Sequence, residues 1–368
     1  MKISCNKNEL SEAVSVVQRA VSSKTTIPAL EGILIKAYNN QITVSGYDLE
    51  LGMTTSIEAN VATEGEIVVN AGLFYDIVRK MPNEIIKIET DDRLIMYISS
   101  GQADYQIIGI SAKEYPEIPT FEQEDKIKIK AGILKNMIRQ TIFAVSTNLA
   151  KPIYTGSLFE IEKKSIRIVS VDGYRMALRR EQIDSDVSSK FVVPAKTQHE
   201  IIKFNIDDEK EIELIIGKRH ISFQIDGYNV VSRLIEGTYL DYEATIPKNC
   251  KTHLTVKTKS LIESVDRMAL LAGDKIQSPV RCKIGDDQIN LSCNTSVGRA
   301  KDVLNVNISG EPVEIGFNYR YLLDALKNSD TDEVELELSG ALSPMNIKPV
   351  SGDAFLFLVV PMRLSDEN

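Results

Sequence analysis

The sequence predicts an α+β fold of three similar domains, each mostly antiparallel strand with two short helices. Three observations carry this. At 368 residues the chain is too long for one small core, given roughly 100 to 200 residues per domain. Its 43% hydrophobic and 26% charged residues lie near the averages of a soluble globular protein and exclude a disordered or fibrous one. Most telling, one strand-then-helix segment recurs three times at nearly constant spacing.

The first copy opens with the short alternating strand Lys2-Ile3-Ser4-Cys5 and continues with Leu10, Val14 and Val21 at helical spacing. The same pattern returns in Ile127, Ile129, Leu134, Ile138 and Val145, and again in Leu254, Val256, Leu261, Val265 and Ala272. A second strand recurs as Ile42 to Ser45, Ile166 to Val169 and Ile289 to Ser292. A third, Ile67 to Val69, Phe191 to Val193 and Val313 to Ile315, leads each time into a second helix: Ala71 to Met81, Ala195 to Asn205 and Asn318 to Asn328. Alternating segments with hairpin turns, such as Ile221 to Ile225 before Asp226-Gly227, complete each unit. Polar, proline-containing stretches at Pro119 to Asp125 and Pro247 to Lys251 read as linkers. The expected domains are 1–121, 122–247 and 248–368.

The net charge is −9, from 43 Lys and Arg against 52 Asp and Glu. The six helical windows (8–21, 71–81, 132–146, 195–205, 258–272 and 318–328) hold 11 basic and 7 acidic residues, so they carry +4 and the rest of the chain −13. Were the helices to share one side, an acidic protein could hold a polyanion there and repel it elsewhere. Exposed helices also favour Lys and Arg for solubility, so charge alone leaves both readings open.

Several classes are excluded. Apolar runs reach about half a dozen residues, as in Phe355 to Pro361, where a membrane helix needs roughly 20. The polar start, Met1 to Asn8, lacks the apolar stretch of a signal peptide, and an intracellular location is expected. Four cysteines without CxxC spacing and three scattered histidines lead us to expect free thiols, no metal and no cofactor. Phosphate-loop, GxGxxG, HExxH and GxSxG motifs are missing. The carboxylate clusters Asp91-Asp92, Asp207-Asp208-Glu209 and Asp286-Asp287 sit where turns are expected, a position Asp favours for backbone reasons. No catalytic residue is assigned, and a binding or structural device is expected rather than an enzyme. Two strings stand out: Val169 to Ala177, where a strand runs through Asp172-Gly173 into Tyr174-Arg175-Met176, and the C-terminal Phe355 to Leu364, whose large apolar residues favour contact with something.

Taken together, Thr26-Ile27-Pro28, Gly46-Tyr47-Asp48-Leu49-Glu50, Val171-Asp172-Gly173-Tyr174-Arg175, Val193-Pro194, Asp241-Tyr242, Ile246-Pro247-Lys248-Asn249, Glu314-Ile315-Gly316-Phe317-Asn318 and Val360-Pro361-Met362-Arg363-Leu364 make the whole chain resemble the beta sliding clamps, the processivity subunits of bacterial DNA polymerase III. The resemblance implies two chains closed head to tail into a ring, sheets outside and helices lining the hole. Duplex DNA would thread it with no base read, and the replicative polymerase would be tethered for processive synthesis. It implies DNA-facing Lys24, Arg79, Lys80, Lys135, Arg139, Lys151, Lys196 and Lys203. It also implies a pocket of Tyr154, Val171, Gly173, Tyr174, Arg175, Met176, Leu240, Thr245, Leu342, Val359, Val360, Pro361, Met362 and Arg363. There, short linear peptides of the polymerase III alpha subunit, the clamp loader, other polymerases and repair proteins would dock.

Leu240 stands where the family often has Pro, Ala244 where it can have Arg, and Ser365 to Asn368 extend past the usual terminus. For ring closure the expected contact pairs the edge strand Ala103 to Ile110, with Tyr105 and Ile107 on one face, against the helix ending in Leu270-Leu271. The competing reading is a carboxylate- or metal-dependent nucleic-acid enzyme on a repeated sheet; a scaffold without a DNA role is the third.

Overall fold

The computed structural model describes residues 1–22, 24–121, 125–273 and 278–364. The extension Ser365 to Asn368 and part of the first expected linker lie outside them. Among the described residues the helical periodicities become six α-helices: α1 (Lys7–Val17), α2 (Ala71–Lys80), α3 (Ala131–Ile142), α4 (Ala195–Ile202), α5 (Thr258–Ala272) and α6 (Tyr319–Lys327). Each bound falls within a few residues of its expected window. Side chains set several starts: Asn6 accepts the N–H groups of Asn8 and Glu9, Asn70 that of Leu73, and Asn318 that of Arg320, pairing donors the helix leaves open.

The chain forms two compact units, residues 1–132 with 203–234, and 133–202 with 235–368. In the first unit a five-stranded sheet runs in the order Asn60–Thr63, Lys2–Asn6, Ile85–Thr90, Ile95–Ser100, Ala103–Ile108. An eight-stranded sheet there joins strands of two repeats: Tyr228–Arg233 pairs antiparallel with Leu51–Glu58, Tyr228 opposite Thr55 and Ser232 opposite Leu51. Thr55 Oγ1 also donates to the Gly227 carbonyl at 3.0 Å.

The second unit repeats the device. Its nine-stranded sheet continues from Arg175–Gln182 into Phe355–Val359, with Met176 opposite Leu358 and Ala177 opposite Phe357. A four-stranded sheet ends in Gly298–Asn305. Below them α5 and α6 pack over a core that includes Leu261, Val265, Leu322, Ile347, Phe357 and Val359.

One hairpin recurs in each repeat and shows why the repeats share a fold. Asn39-Asn40, Lys163-Lys164 and Asp286-Asp287 all take positive φ between paired strands, the two-residue turn whose twist matches the strands beside it. The other carboxylate clusters also serve turns: Asp91 accepts the N–H groups of Arg93 and Ile95, and Asp207 that of Glu209.

Candidate functional site

The second unit carries a cleft of about 770 Å³. Its construction starts at the turn Asp172-Gly173. Asp172 Oδ1 accepts the N–H groups of Tyr174 at 2.9 Å and Arg175 at 3.0 Å, while Gly173 takes φ 93°, a left-handed value that strains any residue with a Cβ. The strand Ser165–Val171 therefore reverses tightly into Arg175–Gln182. Arg175 closes the turn: its Nε bonds Asp172 Oδ2 at 3.0 Å, its Nη1 reaches Asp324 on α6, and its guanidinium lies 4.8 Å from the Tyr321 ring centroid. Arg175 is thus a strut between turn and helix. The Tyr321 hydroxyl is pushed to a higher pKa, chiefly by burial and then by the Asp172 charge.

Val171, Met176 and Leu358 are buried among one apolar cluster and line the cleft. Tyr174, 60% exposed, stacks on Tyr321 with centroids 5.6 Å apart, and Tyr154 stands edge-on to Tyr239 at 5.4 Å. Leu240 and Thr245 add to the lining, with Ser146, Asn148 and Lys151 supplying polar groups. The C-terminal segment continues alongside: the Val360 N–H donates to the Tyr174 carbonyl at 2.9 Å and that of Met362 to the Gly316 carbonyl at 2.8 Å. A Cβ at Gly316 would fall 2.6 Å from Leu364 Cδ2 and 3.0 Å from the Met362 carbonyl oxygen, so a side chain there would displace the Leu364 side chain and crowd the segment's backbone.

Burial organises the wall that holds Thr245. Glu160 accepts from Tyr242 and from Lys190 Nζ at 2.6 Å. Burial would raise its pKa, but these two hydrogen bonds and the nearby positive charges win and hold it below the ordinary carboxylate range. Burial, with the Glu160 bond, pushes Tyr242 upward. A carboxyl depressed in the folded state stabilises above its unfolded pKa of about 4.3, and that contribution disappears as pH falls through the folded value. Glu160→Gln should therefore lose stability near neutrality and show a shallower decline below about pH 4 than the parent; parallel acid-unfolding curves would contradict the assignment.

Nine of the fourteen expected pocket residues line this cleft: Tyr154, Val171, Gly173, Tyr174, Arg175, Met176, Leu240, Thr245 and Val360. Val359 does not, because alternation turns it into the core opposite Leu358 and Val360. Leu342, Pro361, Met362 and Arg363 also lie outside the lining. Sequence reasoning missed Leu358, Tyr321, Pro344 and the run Val145 to Asn148. Strict period-two reading of Phe355 to Pro361 would have found Leu358.

Of the expected DNA-facing residues, Lys24, Arg79, Lys80, Arg139, Lys151, Lys196 and Lys203 are exposed. Lys135 is a correction: it is 7% exposed, because its position on α3 falls beside the buried Leu134 and Ile138. Lys151 belongs to the cleft lining. A second correction concerns the edge strand Ala103–Ile108. Tyr105 is exposed, but Ile107 is only 8% exposed and sits in its own core, whereas Ile108 is 84% exposed. On α5, Leu270 is 84% exposed and Leu271 partly buried.

Paired strands repeated three times, six helices and a concave apolar cleft define a protein of the three-domain DNA-clamp fold. The N-terminal, central and C-terminal domain profiles of the DNA polymerase III beta subunit match residues 1–119, 128–241 and 243–363. The beta sliding clamp of Bacillus subtilis is 32% identical over 99% of this chain and all of its own. The solved structure of a putative DNA polymerase III beta subunit from Eubacterium rectale is 35% identical at TM-score 0.95, covering 98% of this chain and 99% of that one. The Bacillus subtilis clamp structure superposes at TM-score 0.97 with 32% identity, over 99% of this chain and all of that one. The chain belongs to the beta sliding clamp family of DNA polymerase III. Its members are processivity subunits, and it is not an enzyme.

Proposed function

We propose that two copies of this chain close into a ring around duplex DNA and hold the replicative polymerase there, with three domains per chain bounded as 1–121, 122–247 and 248–368. The observation that carries this is whole-length similarity to sliding clamps, with a peptide-sized apolar cleft in place. Exposed Lys24, Arg79, Lys80, Arg139, Lys196 and Lys203 offer phosphate contacts without a base-reading element, so DNA is held by charge and by enclosure. The cleft takes an extended peptide: buried aliphatic floor, aromatic rim and a few polar groups suit a segment carrying Gln-Leu and a terminal Leu-Phe pair. Through it the polymerase III alpha subunit, the clamp loader, other polymerases and repair proteins dock. Similarity to bacterial clamps supports work in the bacterial cytoplasm at the nucleoid.

Closure joins the edge strand Ala103–Ile108 of one chain to the third domain of the other, where Gly298–Asn305 is an edge strand and Leu270 projects from α5. Pairing satisfies open backbone groups that are otherwise a liability. Sedimentation should give twice 41.0 kDa; a stable mass of one chain at micromolar concentration would contradict the ring.

A further inference from the structure

We propose that His253, Glu335 and Glu337 form a binding site for one divalent transition-metal ion of the zinc class. The three come from neighbouring strands, His253 directly opposite Glu337 and Glu335 two residues along on the same face. His253 Nε2 lies 3.1 Å from the Cys250 carbonyl oxygen. That oxygen can only accept, so Nε2 carries the proton. In the neutral ring Nδ1 then presents a lone pair to Glu335 Oε1 and Glu337 Oε1, each 3.7 Å away. Nδ1 and the two carboxylates thus converge, their ligand atoms all within 4.8 Å of one another.

These atoms can hold a cation. Around a tetrahedral ion with bonds of about 2.0 to 2.1 Å, neighbouring donors stand about 3.4 Å apart, so the two 3.7 Å edges close slightly and the edge between the carboxylates, within 4.8 Å, draws in to match. An imidazole whose other nitrogen donates to a backbone carbonyl is the tautomer a metal ligand needs, already fixed in orientation.

A second observation points the same way. Asn346, 1% exposed and opposite Glu337 on the next strand, donates from Nδ2 to Glu337 Oε2 at 3.1 Å and to the Pro247 carbonyl oxygen at 3.2 Å, the kind of outer partner that orients a ligating carboxylate. One group competes: Lys348 Nζ holds Glu337 Oε1 at 2.7 Å and must release it to admit an ion. Mixed imidazole and carboxylate donors favour zinc over magnesium, which prefers oxygen alone.

The test is calorimetry on the full chain with zinc, and with magnesium as control. One zinc per chain is expected, with no comparable magnesium heat. His253→Ala and Glu335→Gln, both at partly exposed positions, should each weaken zinc binding more than about tenfold, the loss that even an outer partner brings. Lys348→Met should strengthen it. Cobalt should bind with visible bands but without sulfur charge transfer. Absence of zinc heat, unchanged affinity in both ligand variants, or a sulfur band placing Cys250 on the metal would each overturn the proposal.

Discussion

Tyr174→Ala combined with Leu240→Ala should lower affinity for the Gln-Leu and Leu-Phe peptide by at least about a hundredfold, while leaving the fold intact. A few anchors dominate such interfaces, each worth on the order of 2 kcal/mol or more, and roughly 1.4 kcal/mol is tenfold in affinity. Tyr174 is an anchor because it is exposed yet oriented: the Asp172 turn fixes its backbone and the Tyr321 ring supports its face. Leu240, 40% exposed, stands on the lining and outside the buried core of the free chain. Met362→Ala, by contrast, should cost less, because Met362 lies outside the lining and is held through its backbone to Gly316. Calorimetry decides: unchanged affinity in the Tyr174 and Leu240 double variant would remove the cleft from the account.

Ile108→Asp with Leu270→Asp should give folded monomers that still bind the peptide. Both side chains are almost fully exposed in the single chain, so the charges cost little there. Across a closed interface the same two charges would be desolvated and of like sign, which opposes association strongly. Ile107 is the wrong probe, since a carboxylate at that buried position would damage the first domain itself. If the double variant sediments as a dimer, the ring closes through other surfaces.

Much of this architecture is legible in the sequence because the repeat supplies three readings of one pattern. Leu10, Leu134 and Leu261 announce the same helix, and all three are buried. What escapes are facts decided by neighbours distant in the chain. Lys135 reads as a helix-surface charge, yet packing buries it. Ile107 and Ile108 are alike in composition, and only the neighbouring strand decides which one faces inward. The cleft shows both outcomes. Asp172-Gly173 declares its turn locally, whereas Tyr321 and Asp324 reach it from α6, about 150 residues later in the chain, and leave no signal beside it. His253 and Glu337 lie even more plainly beyond spacing rules, meeting only through strand register.

The central claim is that DNA is held by enclosure. The direct measurement is retention of the loaded protein on a closed circular plasmid at physiological salt, before and after the plasmid is linearised by a single cut. A closed ring with weak phosphate contacts predicts persistence on the circle and release from the free ends of the linear form. Equal retention on both forms would mean that surface contacts alone hold the DNA, and would contradict the account.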